Sequence, residues 1–113
     1  MSASCLFCRI VRREIPAAIL AESDAALAFR DIDPKALLHA LVIPKRHVAS
    51  LAEVDDPALV GELSRLAVQV ARDAGFGESG FRTVVNTGPD AGQTVFHLHL
   101  HVLAGRALAW PPG

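Results

Sequence analysis

The chain has 113 residues, a length typical of a single domain, and its 11 Lys and Arg residues nearly balance 12 Asp and Glu residues. This balance offers no basic field for nucleic acid, a hydrophobic content of 51% excludes disorder, and no apolar run is long enough for a membrane span or a secretory signal. We therefore expect one cytoplasmic domain over residues 5–113, with reduced cysteines, that binds neither nucleic acid nor a membrane.

Short apolar runs predict strands in the first half of the chain. Residues 18–21 and 25–29 flank a polar turn, so we expect them to form a hairpin. The run 40–43 is apolar and is stopped by Pro44, which is typical of a short buried strand.

One helix is predicted after these strands. Asp55 and Asp56 can cap its N-terminus, and Pro57 suits the first helical position. Gly75 and Gly77 end it. Apolar residues recur within it every three or four positions, and we expect this stripe to pack on the core. The stripe consists of Leu59, Leu63, Leu66 and Val70.

Two further strands are predicted in the second half. Residues 81–86 are rich in β-branched side chains, and residues 95–103 alternate between apolar and polar positions. The proline-rich C-terminus cannot continue a helix or a central strand, so residues 104–113 are expected to form an irregular arm. Several strands with one or two helices and short connections predict an α+β domain with an antiparallel sheet.

Three histidines occupy alternate positions of the last predicted strand: His97, His99 and His101. Alternate side chains of a strand share one face, about 6.6 to 6.8 Å apart. Such a row can bind a metal, transfer protons near neutral pH or attack an electrophile, and a merely solvated polar face is the structural alternative. The preceding glycine-rich turn favours phosphate chemistry, because its N–H groups can form an anion-binding nest, and Gln93 and Thr94 follow it directly.

Residues 92–103 resemble the histidine-triad (HIT) signature, in which three histidines alternate with apolar residues. The short length and the terminal Trp-Pro-Pro-Gly resemble the histidine-triad nucleotide-binding (Hint) branch rather than the diadenosine-polyphosphate hydrolases. The resemblance implies the HIT fold, an antiparallel sheet of roughly five strands with one long and one short helix, continued across a homodimer. It extends over nearly the whole chain, through residues 14–16, 28–32, 39–47, 84–86 and 110–113.

This resemblance also implies an enzyme that releases AMP or GMP from nucleoside 5′-phosphoramidates or acyl-adenylates. His99 would be the nucleophile, forming a covalent nucleotidyl-histidine that water hydrolyses, with His101 and His39 in support. Core packing is the alternative role for the apolar members of the implied nucleotide site. The implied substrate-binding residues are Asp31 for the ribose hydroxyls, Asn86, Gln93 and Thr94 for the phosphate and leaving group, and Phe7, Ile15, Phe29 and Ile32 for the purine.

Three more positions bear on the substrate site. Trp110 either packs on its own domain or, as the resemblance implies, crosses a two-fold interface to shape the partner's site. Arg30 and Phe96 stand where some relatives have His and Tyr, and these departures bear on substrate preference.

Cys5 and Cys8 have the spacing of half a zinc site. The resemblance implies that His47 and His97 complete it. Four protein ligands leave no open position, so this zinc would be structural rather than catalytic, and no organic cofactor is expected. A redox or purely packing role is the alternative for the cysteines.

Other functions remain open at the level of sequence. The histidine row could hold a catalytic zinc, which predicts activity lost to chelators and no covalent intermediate. The chain could instead be a nucleotide-binding or scaffold protein with incidental turnover, or a dinucleoside polyphosphate hydrolase.

Overall fold

The structure is a computed structural model that describes residues 4–113, and in this range it has two α-helices and five strands. These confirm the predicted α+β class and the predicted antiparallel sheet of five strands. Neither helix of the described range is long and apolar enough to cross a membrane. In chain order the elements are α1 (Leu6–Val11), β1 (Ile19–Glu22), β2 (Ala26–Arg30), β3 (Leu38–Pro44), α2 (Pro57–Asp73), β4 (Phe81–Val85) and β5 (Leu100–Ala104).

The five strands form one sheet in the order β1-β2-β3-β5-β4, and every neighbouring pair is antiparallel. Strand β3 lies at the centre, and all seven of its residues are buried. It pairs with β5 in a register that sets Leu41 opposite His101 and His39 opposite Leu103. Strand β5, which carries His101 of the histidine row, therefore lies next to the most buried strand of the sheet.

The two faces of the sheet carry separate cores, because successive side chains of a strand point to opposite sides. On one face Ala40, Val42 and Val102 pack with the apolar stripe of α2. On the other face Leu41 and Ile43 pack with α1. The small side chains on the α2 side let the long helix lie close to the sheet, and the other face is left for α1 and the histidines.

Helix α2 has the predicted N-cap, the predicted buried stripe and a glycine after its end. The Ala58 N–H donates to the Asp56 carboxylate at 3.0 Å, so Asp56 is the N-cap, and Pro57 is the first helical residue. The whole predicted stripe is buried. The helix ends at Asp73, and Gly75 follows with φ +91°, a left-handed conformation that favours glycine.

One feature differs from the sequence prediction. Strand β5 begins at Leu100, not at residue 95, because the preceding segment bonds elsewhere: the Leu98 N–H donates to the Val48 carbonyl at 2.7 Å. Leu98 is nevertheless buried on the α2 side, so the predicted alternation of faces holds. Helix α1 is the short helix that the HIT resemblance implies, and it has no periodic signal of its own, since six residues span less than two turns.

Candidate active site and metal site

Three histidines meet on the α1 side of the sheet. His39 comes from β3, His101 from β5 and His99 from the extended residues just before β5. The ring centroids of His99 and His101, and those of His39 and His101, lie 5.1 Å apart. His39 and His99 are buried and His101 is half-buried. The strand register thus brings His39, distant in sequence, beside the predicted row.

The His99 ring is held by a main-chain carbonyl. Its Nδ1 lies 2.8 Å from the carbonyl oxygen of His97, which can only accept, so Nδ1 carries the proton. In the neutral form of the ring the lone pair is therefore on Nε2. Phe7 of α1 packs edge-on against this ring at a centroid distance of 5.2 Å. His99 is therefore oriented with an unprotonated nitrogen available for nucleophilic attack.

His39 and His101 form a directly bonded pair, with His39 Nε2 2.9 Å from His101 Nδ1. Asp31 Oδ2 lies 3.3 Å from the same Nε2, and the Lys35 main-chain N–H donates to His39 Nδ1 at 3.0 Å. Burial lowers the pKa of His39, although Asp31 opposes the change. Burial, with repulsion from His99 and His39, lowers the pKa of His101 to about 4. Both rings are therefore neutral at pH 7.

The second cluster consists of the four predicted metal ligands. Ligand atoms of Cys5, Cys8, His47 and His97 all lie within 4.8 Å of one another. Nδ1 of His97 is 3.4 Å from Cys5 Sγ and 3.5 Å from Cys8 Sγ, and Nδ1 of His47 is 3.3 Å from Cys8 Sγ. Tetrahedral zinc would set sulfur and nitrogen ligands about 3.6 Å apart, so the spacing fits.

The hydrogen bonds of His97 also fit a metal ligand. Its Nε2 lies 2.8 Å from the Pro44 carbonyl oxygen and must carry the proton, which leaves the Nδ1 lone pair directed at the two sulfurs. A ligating imidazole has this tautomer, with its second nitrogen fixed by a carbonyl. His97 is fully buried, whereas His47 is exposed at the rim.

Asp31, His39 and His101 also lie close enough together to suggest a metal. The main-chain bond to His39 argues against it. Because Nδ1 of His39 accepts from the Lys35 N–H, its Nε2 must keep a proton, and a protonated nitrogen cannot ligate a metal. The donor set therefore fits a metal at the cysteines and not at the histidine pair.

In the turn before the histidine row, three main-chain N–H groups donate to acceptors within the turn itself. Those of Gly92 and Gln93 donate to the carbonyls of Pro89 and Gly88, and that of Gly88 donates to Gln93 Oε1 at 2.9 Å. These three groups are therefore not free to form the expected anion nest. The side chain of Gln93 is buried and also donates from Nε2 to the carbonyls of Ala49 and Val95, at 2.8 and 3.1 Å. These bonds use both N–H groups of the Gln93 amide and one of the two acceptor positions on Oε1, so one acceptor position on Oε1 remains.

The predicted nucleotide-binding residues divide into two groups. Phe7 and Phe29 are buried against each other at a centroid distance of 5.5 Å, and Ile15 packs on the same cluster. Ile32 is 100% exposed and Trp110 is 81% exposed, so neither lines this cluster within one chain. The exposure of Trp110 excludes the expectation that it packs on its own domain.

The remaining predicted positions surround the turn and the strand ends. Asn86, half-buried, directly follows β4, and Thr94 is exposed beside Gln93. Arg30 lies on the opposite face of the sheet, where it adjoins Leu38 and Val70 of the α2 side. The departure at Arg30 therefore lies across the sheet from the histidines. Phe96 is exposed.

Two groups near the site were not predicted from the sequence: the main-chain N–H of Lys35 and the guanidinium of Arg106, whose Nε donates to the Lys35 carbonyl at 3.0 Å. A main-chain donor can come from any residue type except proline, so no sequence signal marks it. Arg106 is exposed and 71 residues from Lys35, which gives it no local pattern either.

Comparison with known proteins agrees with this geometry. Residues 12–108 match the HIT domain family. An "uncharacterized HIT-like protein" of Synechococcus elongatus is 53% identical over 115 aligned positions that cover the whole of both chains. A solved structure of a HIT family hydrolase from Legionella pneumophila is 45% identical, with a TM-score of 0.93, over 97% of this chain and 100% of that one.

Two further solved structures bear on ligands. A histidine triad nucleotide-binding protein from Candida albicans is 30% identical, with a TM-score of 0.84, over 96% of this chain and 83% of that one. A zinc-bound histidine triad family protein from Mycobacterium smegmatis is 38% identical, with a TM-score of 0.85, over 94% of this chain and 78% of that one.

Proposed function

Since the chain belongs to the HIT domain family, and is hydrolase-like in fold, we propose that it is a purine nucleoside phosphoramidase of the Hint type. It releases AMP or GMP from nucleoside 5′-phosphoramidates or acyl-adenylates. The observation that carries the proposal is the bond from His99 Nδ1 to the His97 carbonyl, because it leaves the Nε2 lone pair for attack on phosphorus.

In the first step His99 Nε2 attacks the α-phosphorus, and a nitrogen–phosphorus bond forms as the bond to the leaving group breaks. A leaving amine takes one proton from solvent, whereas a leaving carboxylate needs none. His99 keeps its Nδ1 proton on the His97 carbonyl, so the ring becomes a nucleotidyl-imidazolium whose charge that carbonyl stabilises.

In the second step water attacks the same phosphorus and the bond to His99 breaks. The water gives up one proton, which balances the one taken by the amine, and His99 returns to its neutral form. One water is consumed for each nucleoside monophosphate and each amine released. Splitting the displacement in this way makes each step easier than direct hydrolysis.

The same proposal assigns residues to each part of the nucleotide. The Asp31 carboxylate accepts the ribose hydroxyls, and Phe7, Phe29 and Ile15 cover the purine. Thr94 and Asn86 contact the phosphate. The acceptor position left on Gln93 Oε1 suits an N–H of the leaving amine. His39 and His101 support the reacting groups.

We further propose a homodimer. Strand β4 is an edge of the sheet, so a second copy can continue the sheet there. In such a dimer Trp110 would reach the partner's site, and Ile32 would complete the purine pocket, which accounts for their exposure in one chain. Sedimentation equilibrium should give twice the chain mass, and a monomer at all concentrations would reject the dimer.

We also propose that Cys5, Cys8, His47 and His97 hold a structural zinc. Supporting observations are the ligand spacing, the His97 tautomer and the zinc-bound relative from Mycobacterium smegmatis. Bound there, zinc supplies a cross-link and no chemistry on substrate, because four protein ligands leave no open position. A cytoplasmic location, where thiols stay reduced, suits this ligand set.

The test is hydrolysis of adenosine 5′-phosphoramidate by the wild type and by His99→Ala. We expect the variant to lose at least about 10³-fold in kcat, since it lacks the nucleophile. Mass spectrometry of wild type quenched at neutral pH should show an AMP adduct that is lost on acid quenching, because the nitrogen–phosphorus bond is labile to acid.

Other outcomes would contradict the proposal in distinct ways. Activity that survives in His99→Ala but is lost to a chelator would indicate a catalytic metal. Turnover of dinucleoside polyphosphates in preference to the phosphoramidate would indicate a polyphosphate hydrolase. AMP binding without turnover of either would indicate a nucleotide-binding protein.

A further inference from the structure

The loop between β2 and β3 determines where the proton of His39 lies. The Lys35 main-chain N–H donates to Nδ1 of His39 at 3.0 Å. An amide N–H can only donate, so Nδ1 must offer a lone pair. Burial lowers the pKa of His39 and keeps the ring neutral at pH 7, and its one proton is therefore on Nε2.

The same reasoning carries the assignment to the next ring. The Nε2–H of His39 points to Nδ1 of His101 at 2.9 Å, so that nitrogen accepts. His101 is neutral at pH 7 for the same reason of burial, and its proton is then on Nε2. His99 has the opposite tautomer, with its proton on Nδ1. The two rings, whose centroids lie 5.1 Å apart, thus differ at Nε2: His99 has a lone pair there and His101 has an N–H.

Lys35 is held on both sides of its main chain. Its carbonyl accepts from Arg106 Nε at 3.0 Å, and Arg106 also donates to the Ala107 carbonyl at 3.2 Å. The loop closes on itself through the Asp31 N–H, which donates to the His39 carbonyl at 2.9 Å. The residue that sets the His39 tautomer is therefore anchored by an arginine that follows β5, outside the histidine cluster.

We propose that the Lys35 main-chain amide, anchored by Arg106, is a positioning group that fixes the tautomers of His39 and His101. With its proton on Nε2, His101 then donates to a phosphoryl oxygen beside the His99 nucleophile. This role rests on the proposed function and deepens it. His39 then acts through His101, as a positioning residue. Asp31 Oδ2, 3.3 Å from His39 Nε2, offers a second acceptor for the same proton and keeps it on Nε2.

The tautomers can be read without any substrate. Long-range proton–nitrogen NMR spectra of the ¹⁵N-labelled protein distinguish protonated from lone-pair nitrogens, and only five histidines contribute. At pH 7 we expect the proton on Nε2 of His39 and of His101, and on Nδ1 of His99. A proton on Nδ1 of His39 or His101 in the wild type would overturn the proposal.

A matched pair of variants isolates the amide. Lys35→Pro removes the N–H, whereas Lys35→Ala keeps it and removes only the side chain with its ion pair to Asp33. We expect Lys35→Pro to mix the His39 tautomers and to lower kcat about 10-fold relative to Lys35→Ala, with KM changed far less. Equal tautomers and equal kcat in the two variants would overturn the proposal.

Arg106 provides a test that does not touch the loop. Arg106→Ala should broaden or shift the His39 nitrogen signals and lower kcat, while Arg65→Ala, which removes an exposed arginine of α2, should change neither. If Lys35→Pro does not fold, this pair and the wild-type spectra decide. Arg106→Ala spectra and kcat identical to those of Arg65→Ala would reject the anchoring role.

These outcomes are separable from those of the proposed function. A protein with the expected tautomers that turns over no phosphoramidate would contradict the function and leave the assigned positioning of the histidines intact. A protein that turns over the substrate through His99 but has the other tautomers would contradict only this inference.

Discussion

The histidines on this face of the sheet differ in which nitrogen carries the proton, because their main-chain partners differ. His99 meets a carbonyl at Nδ1, and His39 meets an amide at Nδ1. His97 meets a carbonyl at Nε2, which turns its Nδ1 lone pair to the cysteines. Identical side chains thereby become suited to nucleophilic attack, to positioning and to metal binding.

At the residue scale, protonation of His101 should affect stability. Its pKa is lowered from 6.5 to about 4, so the unfolded chain binds this proton more readily than the folded one. The stabilisation is therefore present above about pH 6.5 and is lost as the pH falls toward about 4. Urea unfolding from pH 7 to pH 4 should show a smaller loss for His101→Asn than for wild type.

Groups other than His101 and its bonded partner His39 are common to both proteins, so their contribution cancels in the difference between the two curves. Parallel curves would contradict the lowered pKa, because a residue with equal pKa in both states contributes no pH dependence.

At the scale of elements, loops complete the site that the sheet begins. The loop of residues 31–37 bonds to His39, and the turn of residues 86–95 is closed by the Gln93 side chain. Both are held by bonds between main chain and side chain rather than by a strand ladder. His39 and His101 thus lie on strands of the sheet, whereas His99 and the main-chain group that orients His39 lie on the connecting segments.

Gln93→Ala should destabilise the domain by about 1–3 kcal/mol, because it leaves the Gly88 N–H and the Ala49 and Val95 carbonyls without their partner. Gln69→Ala on the exposed surface of α2 makes the same chemical change and should cost less than about 0.5 kcal/mol. Urea denaturation measures both. An equal, small cost for the two would mean that the Gln93 bonds do not hold the turn.

At the scale of the whole molecule, the two helices are secured differently. Helix α2 buries a long apolar stripe on one face of the sheet. Helix α1 has only six residues, of which Phe7, Cys8 and Ile10 are buried. A metal at the cysteines would join this short helix to the end of β3 and to the histidine row, so α1 should depend on it far more than α2 does.

Removal of metal should therefore lower stability. Elemental analysis should find about one zinc per chain, and a strong chelator should lower the Tm by at least about 5 °C. Cys8→Ser removes one ligand and should give a Tm that no longer responds to the chelator. Zinc well below one per chain, with equal Tm values before and after chelation, would contradict the site.

The sequence by itself determined the α+β class, the capped helix, a buried strand at residues 40–43 and the histidine row, because these depend on local periodicity and on residue types at fixed spacing. Through the HIT resemblance it also indicated the nucleotide-binding residues and the four metal ligands. Only the tertiary structure decided the rest. Strand register set His39 against His101, and main-chain bonds set each tautomer and detached residues 95–99 from the ladder. The physical reason is that every residue carries the same main-chain donors and acceptors, and only the folded chain determines which of them meet.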